Sequence, residues 1–315
     1  MKDHRAANFG KFDNPARTAT GEDRARVALS GITTLWVNTG TLCNIACSHC
    51  YIESSPTNDA LVYLNAEEAR EALDAVLAQG HPVAEVGFTG GEPFLNPDFP
   101  AMVEDALTRG LRVLILTNAM RPMMRPRCRE AIARLEATYP GQMVMRVSLD
   151  HYAADLHDAE RGAGSFDESL TGMRWLRDQG IALAVAGRGF SDETEAEMRA
   201  GYAALFAREG LAIDADDPGA CVLFPEMDLS VEVPEITTAC WGILDKSPEA
   251  VMCASSRMVV KRRGAARPAV LACTLLPYDP EFELGETLQE AERDVFLNHP
   301  HCAKFCVLGG ASCSA

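Results

Sequence analysis

From residue 31 onward, short apolar runs alternate with longer stretches in which apolar residues recur every three or four positions. The short runs are 32–37 (ITTLWV), 84–88 (AEVGF), 111–116 (LRVLIL), 143–149 (MVMRVSL), 181–187 (IALAVAG) and 221–224 (CVLF). They lack the in–out alternation of a half-exposed strand, which predicts strands covered on both faces, as in a parallel sheet. The periodic stretches 65–80, 98–110, 125–139, 166–180 and 192–210 predict helices. Asn65 followed by Glu68 is a capping-box signal, and Gly80 stops that helix. Pro126 opens the third helix, and Gly180 closes the fourth. Six β–α alternations predict an α/β fold, a partial (β/α)6 TIM-like barrel. In such folds the residues after each strand gather at one rim, where the chemistry sits.

The pattern stops at both ends. Residues 1–30 are polar and aperiodic, and are expected as an N-terminal extension lying on the core. Residues 31–235 form the barrel. Past residue 235 the alternation ends, and cysteines stand at 240, 253, 273, 302, 306 and 313. There, 257–273 (RMVVKRRGAARPAVLAC) predicts a hairpin with a basic turn, so residues 236–315 are expected as a small cysteine-rich unit.

Charge narrows the function classes. A net charge of −16 over 315 residues argues against general nucleic-acid binding, which needs a basic face. The two basic stretches, 121–130 and 261–267, read as a solvated face and a hairpin turn. No apolar run approaches the roughly 18 residues of a membrane span. The first ten residues hold no apolar signal core, so a cytoplasmic protein is expected. Eleven cysteines are many for a reducing compartment, where clustered thiols indicate metal or redox chemistry rather than disulfides. Cys128 and Cys221 fall on a predicted helix and strand and read as structural thiols.

The densest cluster is TLCNIACSHCY, residues 41–51, on the loop after the first barrel strand. Cys43, Cys47 and Cys50 supply three soft ligands. His49 adjoins Cys50 too closely for both to face one metal easily. Zinc wants four ligands, typically in two close pairs. Three thiolates on a four-iron cube leave one iron open.

CNIACSHCY resembles the C-x3-C-x2-C-aromatic motif of the radical S-adenosylmethionine (radical SAM) superfamily. FTGGEPF after the second strand resembles that family's GGE motif, and LTNAM after the third its TN segment. SLDHYAADLHDAERGAGSF resembles the S-x-D…HD-x-x-RG…SF stretch of members that modify peptides and small molecules. The resemblance covers about residues 31–225. It implies that Cys43, Cys47 and Cys50 hold a [4Fe–4S] cluster whose open iron takes the amino and carboxylate groups of SAM. Electron transfer to the sulfonium would then give methionine and a 5′-deoxyadenosyl radical that abstracts hydrogen from substrate. Glu92 would accept from the methionine ammonium, with Gly90 and Gly91 allowing close backbone approach. Tyr51 would lie near adenine, and Arg161 would pair with the SAM carboxylate. Asn118, Ser148 and Asp150 would meet ribose hydroxyls or amide groups. Where many relatives carry Gly after S-x-D this chain has His151, a candidate proton carrier at the rim.

The C-terminal cysteines resemble a SPASM or twitch extension. A single auxiliary [4Fe–4S] cluster is expected on Cys253 and Cys273, completed by two of Cys302, Cys306 and Cys313, with Cys240 in reserve and a structural zinc as the alternative. The expected function is reductive SAM cleavage and hydrogen abstraction from a small-molecule or peptide substrate. The short N-terminal extension favours a small molecule or a short protein segment. The basic turn at Lys261, Arg262 and Arg263 is expected to dock an acidic electron donor such as a flavodoxin or ferredoxin. The rivals are a non-catalytic iron–sulfur or zinc scaffold and an activase that installs a radical on a partner enzyme.

Overall fold

The structure, a computed structural model, describes residues 10–226 and 228–310. Elements are numbered in chain order. After β1 (Arg26–Val27) and β2 (Thr34–Asn38), the chain runs α1 (Ala66–Ala78), β3 (Glu85–Thr89), α2 (Phe99–Thr108) and β4 (Arg112–Thr117). It continues α3 (Arg121–Met124), α4 (Pro126–Thr138), β5 (Met143–Ser148), α5 (Ala154–Arg161), α6 (Ser165–Asp178) and β6 (Ala182–Gly189). Then come α7 (Glu195–Glu209), β7 (Cys221–Pro225) and α8 (Cys240–Ile243). Four strands close the list: β8 (Ser256–Val260), β9 (Ala269–Leu271), β10 (Glu283–Gly285) and β11 (Val295–Phe296).

Strands β2 to β7 lie side by side in chain order, all parallel. This is the expected half-open (β/α)6 wall, and the predicted helices connect its strands. The capping box forms as read: Asn65 Oδ1 accepts from the Glu68 amide at 2.9 Å, and Glu68 Oε2 from the Asn65 amide at 3.2 Å. On the outer face, Val86, Phe88, Val113, Ile115, Met145 and Val147 pack under the helices. On the inner face, Trp36, Leu114, Met258 and Leu271 form a second apolar layer.

The cysteine-rich region shares this sheet. β8 pairs parallel with β2, and β9 and β10 follow antiparallel, making nine strands in the order 10-9-8-2-3-4-5-6-7. The predicted hairpin is thus β8–β9. Residues 302–308 wind as a π-helix that touches β7 and places Phe305 in the inner apolar layer. The N-terminal extension is stitched down: β1 pairs with β11, and the fully buried Arg24 side chain donates to Asn14 O, Arg17 O and Glu235. Among the described residues, no helix is long and apolar enough to cross a membrane.

Candidate active site at the carboxyl ends of the strands

The parallel strands deliver the sequence motifs to one rim. The cysteine loop leaves β2, GGE leaves β3, Asn118 follows β4, and Asp150 follows β5. The cysteine loop is held by its own backbone: Thr41 N donates to Leu61 O at 2.9 Å and Cys43 N to Ser55 O at 3.0 Å. The Ser54 amide donates to Cys50 Sγ at 3.2 Å.

Gly90 and Gly91 are required by that loop. Their amides and neighbours continue the β2–β3 pairing, with Gly91 N on Gly40 O at 2.8 Å and Glu92 N on Leu42 O at 3.1 Å. A Cβ on Gly91 would stand 2.2 Å from Leu42 O, and one on Gly90 2.6 Å from Gly40 O, with φ at +146°. Only glycine lets the two loops touch in this way.

Glu92 is 1% exposed. Its carboxylate accepts from Thr117 Oγ1 (2.9 Å), the Asn118 amide (2.9 Å) and the Phe94 amide (3.3 Å). Burial pushes its pKa up to about 7, with these hydrogen bonds and Arg161 opposing. Asn118 passes the connection on: Nδ2 donates to Asn44 Oδ1 at 2.9 Å and lies 3.9 Å from Cys43 Sγ. Glu92, Asn118 and the cysteine loop are therefore one hydrogen-bonded unit.

The three thiols sense one another. Cys43 is pushed up to about 12, chiefly by burial, and negative charge on Glu92, Cys47 or Cys50 would add to that. Burial raises Cys47 too, while Arg161 opposes it. Buried thiols of this kind do not ionise unaided, and a cationic metal centre among them reverses the balance. This soft donor set fits an iron–sulfur cluster. Beside the loop opens a cavity of about 530 Å³, lined by Asn44, Ile45, Met120, Arg125, Arg161 and Ser165 among others.

Arg161 lines this cavity, but its fork is already taken. Nε and Nη2 donate to Asp150 at 2.9 and 2.8 Å. The family resemblance gives that fork to the SAM carboxylate and gives Asp150 to ribose hydroxyls or amide groups. The two residues instead hold each other, buried. Ser148 ends β5 in register with Ala186. Tyr51 packs edge-on against Phe224 and Phe305, each ring 6.5 Å away, an aromatic setting rather than an open adenine slot. His151 is 1% exposed, and both ring nitrogens are committed. Nε2 meets Glu193 at 2.8 Å, and Nδ1 accepts from the Ala153 amide at 3.0 Å. It holds the β5–α5 turn and pairs with a carboxylate.

Sequence reasoning missed a polar group on the inner wall. Arg188 of β6, 4% exposed, donates to Glu160 and Glu226, each at 2.7 Å, and lies 3.7 Å from Asp150. Glu160 also bonds His49 of the cysteine loop. An arginine inside an otherwise apolar strand run was the available signal.

In the C-terminal unit, Cys302 feels the charges of Cys273 and Cys253, and burial raises it well above an ordinary thiol. Burial likewise pushes Cys253 up to about 11. These three thiols lie together, with Cys306 four residues beyond Cys302 on the π-helix. Cys240 faces Thr237, whose amide and hydroxyl stand 3.4 and 3.5 Å from its sulfur. Cys313 lies outside the described residues. Cys128 and Cys221 are buried in helix and strand. Among the described residues, no three His, Cys, Asp or Glu side chains close on a single-ion site.

Three cations of the basic turn have acidic partners. Lys261 pairs with Glu68 at 2.6 Å, Arg262 with Glu283 (Nε–Oε2, 2.7 Å) and Arg263 with Asp59.

Comparison with known proteins agrees with this geometry. Residues 37–200 match the model of the Radical SAM superfamily, more than half of the chain, and the chain belongs to that superfamily. The antilisterial bacteriocin subtilosin biosynthesis protein AlbA of Bacillus subtilis is 33% identical over 145 residues, 46% of this chain and 30% of that protein. The AdoMet-dependent heme synthase of Nitratidesulfovibrio vulgaris is 31% identical over 148 residues, 45% of this chain and 36% of that protein. The matches thus span about a third of these relatives' length. Streptococcus suis SuiB bound to its precursor peptide SuiA superposes with a TM-score of 0.59 at 12% identity, covering 84% of this chain and 66% of that one. That likeness speaks for the fold.

Proposed function

We propose that the protein is a radical SAM enzyme with a peptide or small-molecule substrate. In this reading Cys43, Cys47 and Cys50 hold a [4Fe–4S] cluster and SAM enters the adjoining cavity. When bound, the cluster would supply the one electron needed to cleave the SAM sulfonium to methionine and a 5′-deoxyadenosyl radical, which would abstract hydrogen from substrate. The observation that carries the reading is the union of three mutually interacting thiols with Glu92, through Asn118, beside a cavity of about 530 Å³.

The chain's own residues have separable tasks. Glu92 is a buried anion-forming group whose charged form a SAM ammonium would favour. Gly90 and Gly91 bring its loop against the cysteines. Asn118 fixes Cys43 and Asn44. The Arg161–Asp150 pair lines the cavity and leaves Nη1 of the guanidinium as a donor toward a ligand carboxylate. Ser148 stands at the same rim, and Tyr51 ties the loop to the inner aromatic layer.

We further assign one auxiliary [4Fe–4S] cluster to Cys253, Cys273 and Cys302, with Cys306 as fourth ligand. A peptide substrate draws support from AlbA, named for bacteriocin biosynthesis, and from SuiB, solved with a precursor peptide. A small molecule draws support from the heme synthase. The reading is tested by electron paramagnetic resonance of the anaerobically reconstituted, reduced protein. Addition of SAM should change the cluster signal in the wild type. A loaded protein whose signal ignores SAM would remove the basis for the proposal.

A further inference from the structure

The last two residues of α5 grip the cysteine loop from two sides. Arg161 lies close enough to Cys47 and Cys50 to feel their charge. Glu160, its neighbour, binds the segment between those cysteines twice. Its backbone carbonyl accepts from the Ser48 amide at 2.9 Å, and its Oε2 accepts from His49 Nδ1 at 2.8 Å. The same Oε2 accepts from Arg188 Nη1 at 2.7 Å. Arg188 itself is anchored inside the barrel, by Glu226 and by the Phe190 ring 5.2 Å from its guanidinium. Glu160 occupies an unspecified position of the HD-x-x-RG stretch, so the motif assigns it no role.

A backbone bond to Ser48 would need no acidic side chain. The carboxylate adds a bridge from the cysteine loop to a fixed guanidinium on β6. Both partners are largely shielded, with side chains 13% and 5% exposed, so their charges act at short range with little screening. Charge-assisted bonds of this kind are short and directional. Iron–sulfur potentials respond to local charge and to hydrogen bonding around the cluster.

We propose that Glu160 and Arg188 are positioning residues for the Cys47–Cys50 segment. They clasp it to the inner wall of the barrel and set the electrostatic surroundings of the cluster held there. The inference rests on the assignment of Cys43, Cys47 and Cys50 as cluster ligands.

The test compares reconstituted wild type, Glu160→Gln and Glu160→Ala holoenzymes. The readouts are iron content and the midpoint potential of the SAM-responsive cluster, followed by electron paramagnetic resonance. Glu160→Gln keeps the shape and an accepting oxygen but removes one negative charge, so the midpoint should rise with iron content unchanged. Glu160→Ala should in addition broaden the SAM-bound signal, because the side-chain bridge from His49 to Arg188 is lost while only the backbone bond to Ser48 remains. Reduced iron loading in folded Glu160→Ala, with loading kept in Glu160→Gln, also supports the clasp. A wild-type midpoint in Glu160→Gln overturns it, whatever happens to the melting temperature, because a purely packing role lowers stability without moving a potential. Failure of the underlying ligand assignment looks different: the wild type itself then gives no SAM-responsive signal.

Discussion

Tyr51 meets Phe305 edge to face, with ring centroids 6.5 Å apart and planes at 79°. Tyr51 directly follows Cys50, and Phe305 lies between Cys302 and Cys306. One aromatic contact therefore joins the two cysteine sets. Phe305 is 1% exposed and also lies on Phe224, 4.9 Å away. Phe305→Ala empties a filled site and should cost about 3–5 kcal/mol. Phe305→Leu should cost clearly less. Thermal unfolding of the two variants checks this, and an alanine variant as stable as wild type would show that the contact carries no weight.

Gly91→Ala should unseat the cysteine loop. The added methyl would meet Leu42 O at 2.2 Å, a clash with backbone that no side-chain rotation relieves. The expected outcome is a fall of at least tenfold in iron retained after reconstitution, with the far-ultraviolet circular dichroism kept. Gly91 has no positive φ, so the exposed Gly242→Ala, also without positive φ and with no described atom within 4 Å of the new methyl, provides the comparison for a methyl without a clash.

His157 is fully buried, and neither ring nitrogen has a hydrogen-bond partner among the described residues. Burial pulls its pKa from 6.5 down to about 4, with the Arg161 charge adding to the effect. The unfolded chain therefore binds a proton between those values that the folded chain refuses. This contribution is fully present above pH 6.5 and is lost as pH falls toward 4, amounting to about 3 kcal/mol. His157→Phe, whose ring would remain beside Phe166, should flatten the stability curve between pH 6.5 and 4. Denaturant midpoints across that range provide the check. Parallel curves for variant and wild type would refute the assignment.

The two cysteine sets should empty independently. Cys302→Ala should remove roughly four irons per chain, one cluster's worth, and leave the SAM-responsive signal. Cys47→Ala should do the reverse. Iron and acid-labile sulfide assays, paired with electron paramagnetic resonance, distinguish the two. Loss of both signals from either single change would mean one shared centre.

The wall of the barrel was legible because both-face burial leaves wholly apolar strand runs, and because caps and helix-ending glycines mark the helices. All six strands and five of the connecting helices fell where the periodicity put them. Helix α5 was not legible: ADLHDAER has no apolar stripe, and its single fully buried residue is His157. Its residue Glu160 consequently went unassigned, and Arg161 was picked out only through the RG of the motif it resembles. Arg188 was hidden for the related reason that a polar network inside a barrel uses the same residue types as a solvated face. The cysteine loop was legible from its spacing and the GGE motif from its resemblance to the family's, but the partners of Arg161 and Asp150 were not, since each satisfies the other across a distance that sequence does not encode. The partners of the basic turn were not legible either, because Glu68, Glu283 and Asp59 come from three separate segments of the chain to pair with it.

The most direct measurement is 5′-deoxyadenosine formation. Wild type and the Cys43→Ala/Cys47→Ala/Cys50→Ala variant would be reconstituted anaerobically, given SAM and dithionite, and assayed by mass spectrometry. The structure leads us to expect 5′-deoxyadenosine from the wild type and none above background from the variant, with the auxiliary cluster still loaded. Equal yields from both proteins would place SAM cleavage elsewhere than the Cys43–Cys50 loop and contradict the central claim.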